Sequence, residues 1–295
     1  MQYKLNLGRN CLKVIIRTYG IKEIFIPYYS CKTIWQAIRE ENCKINFYHI
    51  DKNFMPAGEF RPDDFILYIN YFGLFTDNCE ILGKKYKNLI TDNTHAFYST
   101  HFGIASFNSL RKFFPVQNGA YLYIKKYQSM NFEHDNLKLN TNEIPRGKIL
   151  CHSEQSVESK DFAPLNDVCG GIIDYEQFRH NELILNNEHI KLISPDVENK
   201  MNTINFEQDK KQRIEIFNHY AKKFNKYNLI KIPRLNGNIP YCYPLCTNKK
   251  EILQMLSNQT VLRLWEDIPE SFPEHEFVYN VAALPLIKGT KILRQ

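Results

Sequence analysis

The stretch of residues 63–95, "DDFILYINYFGLFTDNCEILGKKYKNLITDNTH", decides the fold class of this 295-residue chain. The continuous apolar run "FILYI" follows two acids and is typical of a strand that is covered on both faces. The segment "TDNCEILGKKYK" predicts a helix with Thr76 as its N-cap, and "NLIT" predicts a second short strand that is followed by Asp92. A strand, a helix and a second strand in this order predict neighbouring parallel strands in an α/β sheet.

The same alternation extends on both sides of this unit. Upstream, "RNCLKVIIRTYG" predicts a helix that Gly20 ends, "KEIFIP" a strand that Pro27 ends, "KTIWQAIREE" a helix and "KINFYHI" a strand. Downstream, "IASFNSL" and "AYLYIKK" indicate further strands. We therefore expect a mostly parallel central sheet, covered by helices, over residues 1–126.

The remainder of the chain has a different pattern. Residues 127–160 are polar and irregular and indicate a connection, after which "EQFRHNELILNN" and "INFEQDKKQRIEIFNHYAKKFN" predict helices, the second with Phe217, Ala221 and Phe224 on one face. Toward the end, "YNLIKIP", "IPYCYPLC" and "TVLRLW" predict strands, and "NKKEILQMLSN" predicts a helix between them. We therefore predict a large domain over residues 1–160, followed over residues 161–295 by linking helices and a small C-terminal α+β domain.

Composition and charge argue against several classes of function. The formal net charge is +6, but the basic side chains are scattered and alternate with acids, so we expect no nucleic-acid partner. The eight cysteines form no CxxC pair and show no zinc spacing, so we expect no metal site. The first ten residues lack the apolar core of a signal peptide, and no segment approaches the roughly 18 apolar residues of a membrane span. We therefore expect a cytoplasmic protein without membrane insertion.

Polar residues that directly follow strands are the candidate ligand-binding residues, because ligands of open parallel sheets bind beyond the carboxyl ends of the strands. Here they are Tyr29, Asn70, Asp92 and the turn "SFNSLRK". The start of the first helix, "LGRN", adds a candidate phosphate site, because Gly8 permits close approach and a helix N-terminus attracts anions. Each residue alone has a commoner structural explanation, such as a helix cap for Asp92; the complete set in one order is what indicates a site.

The order of these motifs resembles that of the DegT/StrS-type sugar aminotransferases, which are pyridoxal 5'-phosphate (PLP) enzymes of fold type I. The resemblance runs from "LGRNCL" to "GAYLYI" and resumes at "IPYCYPLCTNKKEILQML", "LRLW" and "LPL". It is strongest with a branch of the family that has an Arg-Lys-Phe run in its lysine segment. It implies a fold type I PLP-transferase architecture, a bound PLP cofactor and a homodimer.

The resemblance places the cofactor phosphate at the start of the first helix, with Gly8, Arg9 and Asn10 as its neighbours. Arg9 stands where the family has a small hydroxyl residue, and its guanidinium could hold phosphate by a charged fork instead. The family's ring-stacking aromatic position is occupied here by Cys31, so Tyr29 becomes the candidate for the ring face.

The segment "DNTH" resembles the family's Asp-Ala-Ala-His/Gln motif through Asp92 and His95. The resemblance implies that the Asp92 carboxylate lies beside the pyridine nitrogen and keeps it protonated, so that the ring can accept an electron pair from the substrate. It implies that His95 lies against the phenolate side of the cofactor. Asn70, at the end of the neighbouring strand, is a further candidate cofactor neighbour.

The lysine segment departs from the family pattern by one position. The family lysine, which forms a Schiff base with the cofactor aldehyde, follows a serine by five residues, whereas five residues after Ser106 is Arg111 and the next residue is Lys112. In one interpretation the turn holds an extra residue, Lys112 reaches the aldehyde and Arg111 lies near the phosphate or the substrate. In the other, arginine has replaced the lysine and transamination is lost. Ser106 and Asn108 are candidate phosphate ligands from the same turn.

Two functions remain open at this point. The first is a PLP-dependent aminotransferase that acts on a nucleotide-linked keto-sugar in surface polysaccharide biosynthesis, with glutamate as the amino donor that the resemblance implies. The second is an inactive PLP-fold protein that binds a sugar nucleotide or regulates a partner, as the displaced lysine and the lack of the family's N-terminal arm suggest. A PLP lyase or dehydratase is a third option, but the sugar-dehydratase variant is disfavoured because no histidine occupies the lysine position.

Overall fold

The computed structural model describes residues 1–126, 131–137, 184–257, 264–265 and 268–286. Its main feature is a seven-stranded sheet in the order β1-β7-β6-β5-β4-β2-β3. The strands are β1 (Gln2–Leu5), β2 (Glu23–Pro27), β3 (Lys44–Tyr48), β4 (Ile66–Ile69), β5 (Leu89–Asp92), β6 (Ala105–Phe107) and β7 (Ala120–Ile124). The helices α1 (Gly8–Tyr19), α2 (Lys32–Glu40) and α3 (Thr76–Lys85) connect strands of this sheet.

The prediction of a mostly parallel sheet is confirmed. Strands β3, β2, β4, β5 and β6 run parallel to one another. Strand β7 is antiparallel to β6, and β1 is antiparallel to β7. Every residue of β4 and of β5 is buried, as expected for central strands that are covered on both faces. Because Ile69 pairs with Asp92, these two strands end together and bring their following residues to one edge of the sheet.

Helices α1 and α3 are capped by residues that are close to them in sequence. Gly20 ends α1 as predicted, in the left-handed conformation with φ 62°. The prediction of Thr76 as the N-cap of α3 is wrong, because Phe75 occupies that position and its N–H donates to the Asn70 side-chain oxygen at 3.1 Å. Thr76 is instead the first helical residue, and its hydroxyl accepts a hydrogen bond from the Asn70 amide at 3.0 Å.

The C-terminal part contains a smaller, two-stranded antiparallel sheet of β8 (Cys242–Cys246) and β9 (Val281–Pro285). It is accompanied by α4 (Pro195–Asn202), α5 (Phe206–Phe224), α6 (Lys250–Ser257) and α7 (His275–Asn280). On α5, Phe217 and Phe224 are buried as predicted, and both rings pack against Tyr243 of β8.

Several C-terminal predictions have other outcomes. The strand predicted for "YNLIKIP" is wrong, because residues 225–227 form a 3-10 helix and residues 228–233 are irregular. The predicted strand "TVLRLW", the predicted helix "EQFRHNELILNN" and most of the connection 127–160 lie largely outside the described residues. The predicted domain boundary at residue 160 also lies outside them.

Gly73 offers a test of how tightly the two sheets are joined. Its φ is +72°, and an added Cβ would lie 2.4 Å from the His95 carbonyl oxygen and 3.0 Å from that of Ile239. At Gly237, φ is +85° but no atom lies within 4 Å of an added Cβ. We expect Gly237→Ala to cost about 1–2 kcal/mol of unfolding free energy, the backbone penalty alone. Gly73→Ala should cost at least about 3 kcal/mol, because a backbone clash is added. Urea unfolding of both variants measures the difference, and equal losses would contradict the packing at Gly73.

Candidate functional site

One cavity lies beyond the carboxyl ends of β4 and β5. It contains about 720 Å³ of empty space, a figure that includes the part open to solvent. Its walls come from the start of α1, the start of α2, the end of β5 and the 3-10 helix Leu110–Lys112. The predicted site residues that line it are Gly8, Arg9, Asp92, His95, Arg111 and Lys112.

Asp92 is the buried acid of this cavity, with 4% of its surface exposed. Burial raises the pKa of its carboxyl to about 6, against the lowering effects of a hydrogen bond from the Thr94 N–H at 2.8 Å and of the positive charge of Lys112. A carboxyl that gains or loses its proton near neutral pH can bind a protonated ring nitrogen as an ion pair.

Lys112 and Arg111 lie next to each other on the 3-10 helix and line the same cavity. The buried Leu110 side chain anchors this helix, and its main-chain N–H donates to the Gly119 carbonyl at 2.9 Å. Both basic side chains are half-buried. The charge of Lys112 lowers the pKa of Asp92, although burial of the carboxyl outweighs this effect. The one-residue displacement therefore leaves an amine in the cavity wall.

His95 forms another part of the wall and is buried. Its ring stacks on Tyr241 with 4.5 Å between the centroids and 7° between the planes. Burial, and secondarily the charge of Lys112, keeps the pKa of His95 well below its usual value, so the imidazole is neutral. Its Nδ1 has no hydrogen-bond partner among the described residues.

The cavity wall also contains donors that suit an anion. Gly8 is the first residue of α1, and a Cβ there would lie 3.1 Å from the Asn108 carbonyl oxygen, so the backbone approaches this turn closely. Arg9, Ser109 and Arg111 line the same cavity. A helix N-terminus, a hydroxyl and two guanidinium groups are the donors that phosphate sites use.

Five predicted cofactor-binding residues do not line the cavity. The Asn10 amide donates to the His189 carbonyl at 2.8 Å, and the Asn108 side-chain oxygen accepts the Tyr121 N–H at 2.9 Å. Both asparagines are thus used to join neighbouring segments. For the phosphate end, the structure offers Ser109 in place of Asn108, a choice that depends on the local path of the turn.

Asn70 and Ser106 likewise form hydrogen bonds with other parts of the protein and do not line the cavity. Asn70 caps α3 from the end of β4, as described above, and its amide lies 3.4 Å from the Asn93 side-chain oxygen. Ser106 pairs with the Nδ1 of His101 at 2.7 Å, whereas its neighbour Phe107 lines the cavity. Because successive side chains of a strand point to opposite faces, Ser106 and Phe107 cannot face the same cavity.

The aromatic wall of the cavity comes from Trp265 rather than from Tyr29. Tyr29 is fully buried, and its ring packs edge-on against Trp265 at 4.6 Å. Trp265 lines the cavity, together with Cys31, and its ring is nearly parallel to that of His95 at 5.4 Å. The sequence motif "LRLW" had marked Trp265, but not this contact. Arg263 of the same motif lies outside the described residues.

Metal binding and membrane spanning find no support in the described part of the chain. There, no group of three or more His, Cys, Asp or Glu side chains is placed to hold a metal ion. No helix within the same ranges has the length and apolar character that crossing a membrane requires.

Solved structures similar to this chain include several aminotransferases. A DegT/DnrJ/EryC1/StrS aminotransferase from Brucella abortus is 12% identical, with a TM-score of 0.56 over 96% of this chain and 80% of that chain. Spr1654 from Streptococcus pneumoniae, in its PLP form, is 12% identical, with a TM-score of 0.59 over 97% and 81%. PseC from Helicobacter pylori, an aminotransferase involved in the biosynthesis of pseudoaminic acid, is 13% identical, with a TM-score of 0.54 over 96% and 81%.

No protein-family model matches the chain, and no curated protein matches it in sequence. The structural likeness nevertheless covers nearly the whole chain. This chain therefore has the fold of the DegT/DnrJ/EryC1/StrS aminotransferases, the fold type I architecture of PLP-dependent enzymes.

Proposed function

We propose that the protein is a PLP-dependent aminotransferase. The observation that carries this proposal is that a buried carboxyl, Asp92, and an amine, Lys112, line one cavity together with donors for an anion. These are the three points at which PLP differs from other small ligands: a ring nitrogen, an aldehyde and a phosphate. The fold supports the proposal independently of the site.

The residues of the cavity fit PLP. Gly8, Arg9, Ser109 and Arg111 would hold the phosphate, since they combine a close backbone approach with hydroxyl and guanidinium donors. His95, which lines the same cavity, would bind a polar substituent of the ring. The side chains at the cavity wall therefore supply donors of the kinds that this cofactor requires.

Each catalytic side chain has a chemical task. PLP, when bound, accepts the electron pair that remains on the substrate α-carbon after a proton leaves. Asp92 would hold a proton on the ring nitrogen. Lys112 would condense with the aldehyde with loss of water, would be released as a free amine when the substrate amine takes its place, and would then carry the proton to and from the α-carbon. Arg111 cannot replace Lys112 in this task, because a guanidinium stays protonated.

The identity of the substrates is a further part of this proposal, which the fold alone does not give. We infer a nucleotide-linked keto-sugar as amino acceptor, glutamate as donor and a place in surface polysaccharide biosynthesis. The name of the structurally similar PseC, an enzyme of pseudoaminic acid biosynthesis, supports a sugar acceptor. The cluster of Arg9, Arg111 and Lys112 gives the cavity a positive character that suits anionic substrates. The homodimer, the cytoplasmic location and the lack of a nucleic-acid partner remain predictions.

A second candidate function is an inactive PLP-fold protein that binds a sugar nucleotide or regulates a partner. The observation that favours it is Arg111, which occupies the position of the family lysine and lines the cavity. This candidate predicts ligand binding without covalent attachment of a cofactor.

Borohydride reduction after incubation with PLP distinguishes the two functions. We expect a stable cofactor adduct, which mass spectrometry of the digested protein should locate on Lys112. In a separate sample that has not been reduced, glutamate should yield 2-oxoglutarate in proportion to the cofactor that is bound. Absence of any lysine adduct, together with binding of a sugar nucleotide, would support the inactive protein and refute the aminotransferase.

A further inference from the structure

A buried arginine lies directly behind the candidate site. Arg213, in the middle of α5, has 5% of its surface exposed. Its Nη2 donates to the Phe113 carbonyl at 3.1 Å, and its Nη1 donates to the Tyr241 carbonyl at 3.4 Å. Its Nε donates to the Asp209 carboxylate at 2.8 Å. One guanidinium thus joins three segments that are distant in sequence.

One carbonyl belongs to the residue that follows Lys112, and the other belongs to the residue whose ring stacks on His95. Phe113 is the residue that directly follows Lys112, so a bond to its carbonyl restrains the end of the 3-10 helix. Tyr241 is the residue whose ring stacks on His95 at 4.5 Å. Arg213 is therefore placed to fix the distance between the amine-bearing wall and the imidazole-bearing wall.

The orientation of the guanidinium is itself restrained. The Asp209 carboxylate that binds Arg213 also accepts a hydrogen bond from the Tyr98 hydroxyl at 2.8 Å. The guanidinium carbon lies 4.4 Å from the centre of the Phe113 ring. A planar group with five donors can satisfy a carboxylate and two carbonyls at the same time, whereas a lysine amine on a flexible stem cannot reproduce this geometry.

We propose that Arg213 is a positioning residue that holds Lys112 and His95 in register with each other through the carbonyls of Phe113 and Tyr241. This inference rests on the proposed function, because it assigns a purpose to the position of Lys112. It differs from simple anchoring of α5: loss of an anchor lowers stability, whereas loss of a positioning residue slows covalent bond formation at Lys112 in folded protein.

The test compares covalent and non-covalent cofactor binding in the variant Arg213→Lys. This change keeps the positive charge and the reach to Asp209 but cannot bond both carbonyls. With PLP in excess, the rate of adduct formation is followed by borohydride trapping. In parallel, the affinity for pyridoxamine 5'-phosphate, which has no aldehyde, is measured by calorimetry, and thermal unfolding fixes a temperature at which all variants are folded.

We expect Arg213→Lys to slow adduct formation on the order of tenfold to a hundredfold, because small displacements of a reacting group carry large rate penalties. The affinity for pyridoxamine 5'-phosphate should change by less than about threefold, since Gly8, Arg9 and Asp92 are untouched. Lys211→Met is the matched control: Lys211 is an exposed lysine on the same helix, and its loss should leave the rate unchanged. Tyr98→Phe keeps Arg213 itself and should slow the reaction less than Arg213→Lys does.

The outcomes separate the inference from the proposed function. Unchanged trapping rates in Arg213→Lys and Tyr98→Phe, with only a lower unfolding temperature, would overturn the positioning role. A proportional loss of trapping and of pyridoxamine 5'-phosphate affinity would also overturn it, because it would indicate general loosening of the site. If Arg213→Lys does not fold, a normal rate in Tyr98→Phe overturns the inference and a slowed rate supports it. Absence of an adduct in the unaltered protein would overturn the proposed function first, and the inference with it.

Discussion

Replacement of Lys112 by alanine is expected to abolish the covalent cofactor adduct and to lower transamination by on the order of a thousandfold or more. The reason is that the same amine both bonds to the aldehyde and moves the substrate proton. Lys112 lines the same cavity as Asp92, as both tasks require. The measurements are borohydride trapping followed by mass spectrometry, and the rate of 2-oxoglutarate formation from glutamate.

Two control variants make this experiment specific. Lys125→Ala removes an exposed lysine that follows β7 and should leave adduct and rate unchanged. Arg111→Ala should keep the adduct on Lys112 but weaken PLP binding by about tenfold, because one charged phosphate donor is lost. An adduct that persists in Lys112→Ala, on any other lysine, would contradict the assignment of Lys112. If Arg111→Ala carries the full adduct on Lys112 but is inactive, Arg111 is required for turnover itself and not only for phosphate binding.

Replacement of Asp92 by asparagine is expected to have opposite effects on activity and on stability. Turnover should fall by about a hundredfold to ten-thousandfold, because a neutral amide cannot hold the ring nitrogen in its protonated form. The cofactor-free protein should nevertheless become more stable at alkaline pH, because burial of the carboxyl disfavours its charged form.

The sign and the pH range follow from the pKa of Asp92. Folding raises it from 3.8 to about 6, so the folded protein binds this proton more tightly than the unfolded chain does. Below pH 4 the carboxyl is neutral in both states and costs nothing. Between about pH 4 and pH 6 the free energy of unfolding falls as the proton is lost, by up to about 3 kcal/mol for a shift of about two units. Asp92→Asn removes this loss.

Urea unfolding of the cofactor-free protein at pH 4.5 and pH 8 measures the effect. We expect a difference between Asp92→Asn and the unaltered protein that is larger at pH 8 than at pH 4.5. Asp77→Asn is the control, since Asp77 is exposed in the first turn of α3, where its loss should cost less than about 1 kcal/mol. A variant that is active, or one whose relative stability does not depend on pH, would contradict the role of Asp92.

The part of the site that depends on strand ends was predictable from sequence. The apolar runs around Ile69 and Ile90 identify central parallel strands, and parallel strands place the residues at their carboxyl ends on one edge of the sheet. This is why Asp92 and the turn with Lys112 were recognised as neighbours. The burial of Asp92, and hence its raised pKa, follows from the same position.

Residues whose role depends on packing between distant segments were predicted less well. Ser106 had the expected sequence position but points away from the cavity, because β6 is only three residues long and alternates its faces. Tyr29 had been the candidate for the ring face, yet it does not line the cavity. Trp265 from the C-terminal part does, and it contacts Tyr29 edge-on at 4.6 Å. Strand β1 had no clear periodicity, and its place at the sheet edge depends on pairing with β7.

The sequence by itself determined the α/β class, the alternation of strands and helices along the first part of the chain, and the position of Asp92 at a strand end. It could do so because hydrophobic periodicity is a local property of the chain. Only the tertiary structure decided that Lys112 and Arg111 both line the cavity, that Trp265 forms its aromatic wall and that Arg213 joins the two walls behind it. These contacts join segments that are far apart in sequence. Which side chains meet is then set by packing and by the satisfaction of buried hydrogen bonds, and neither leaves a periodic trace in the sequence.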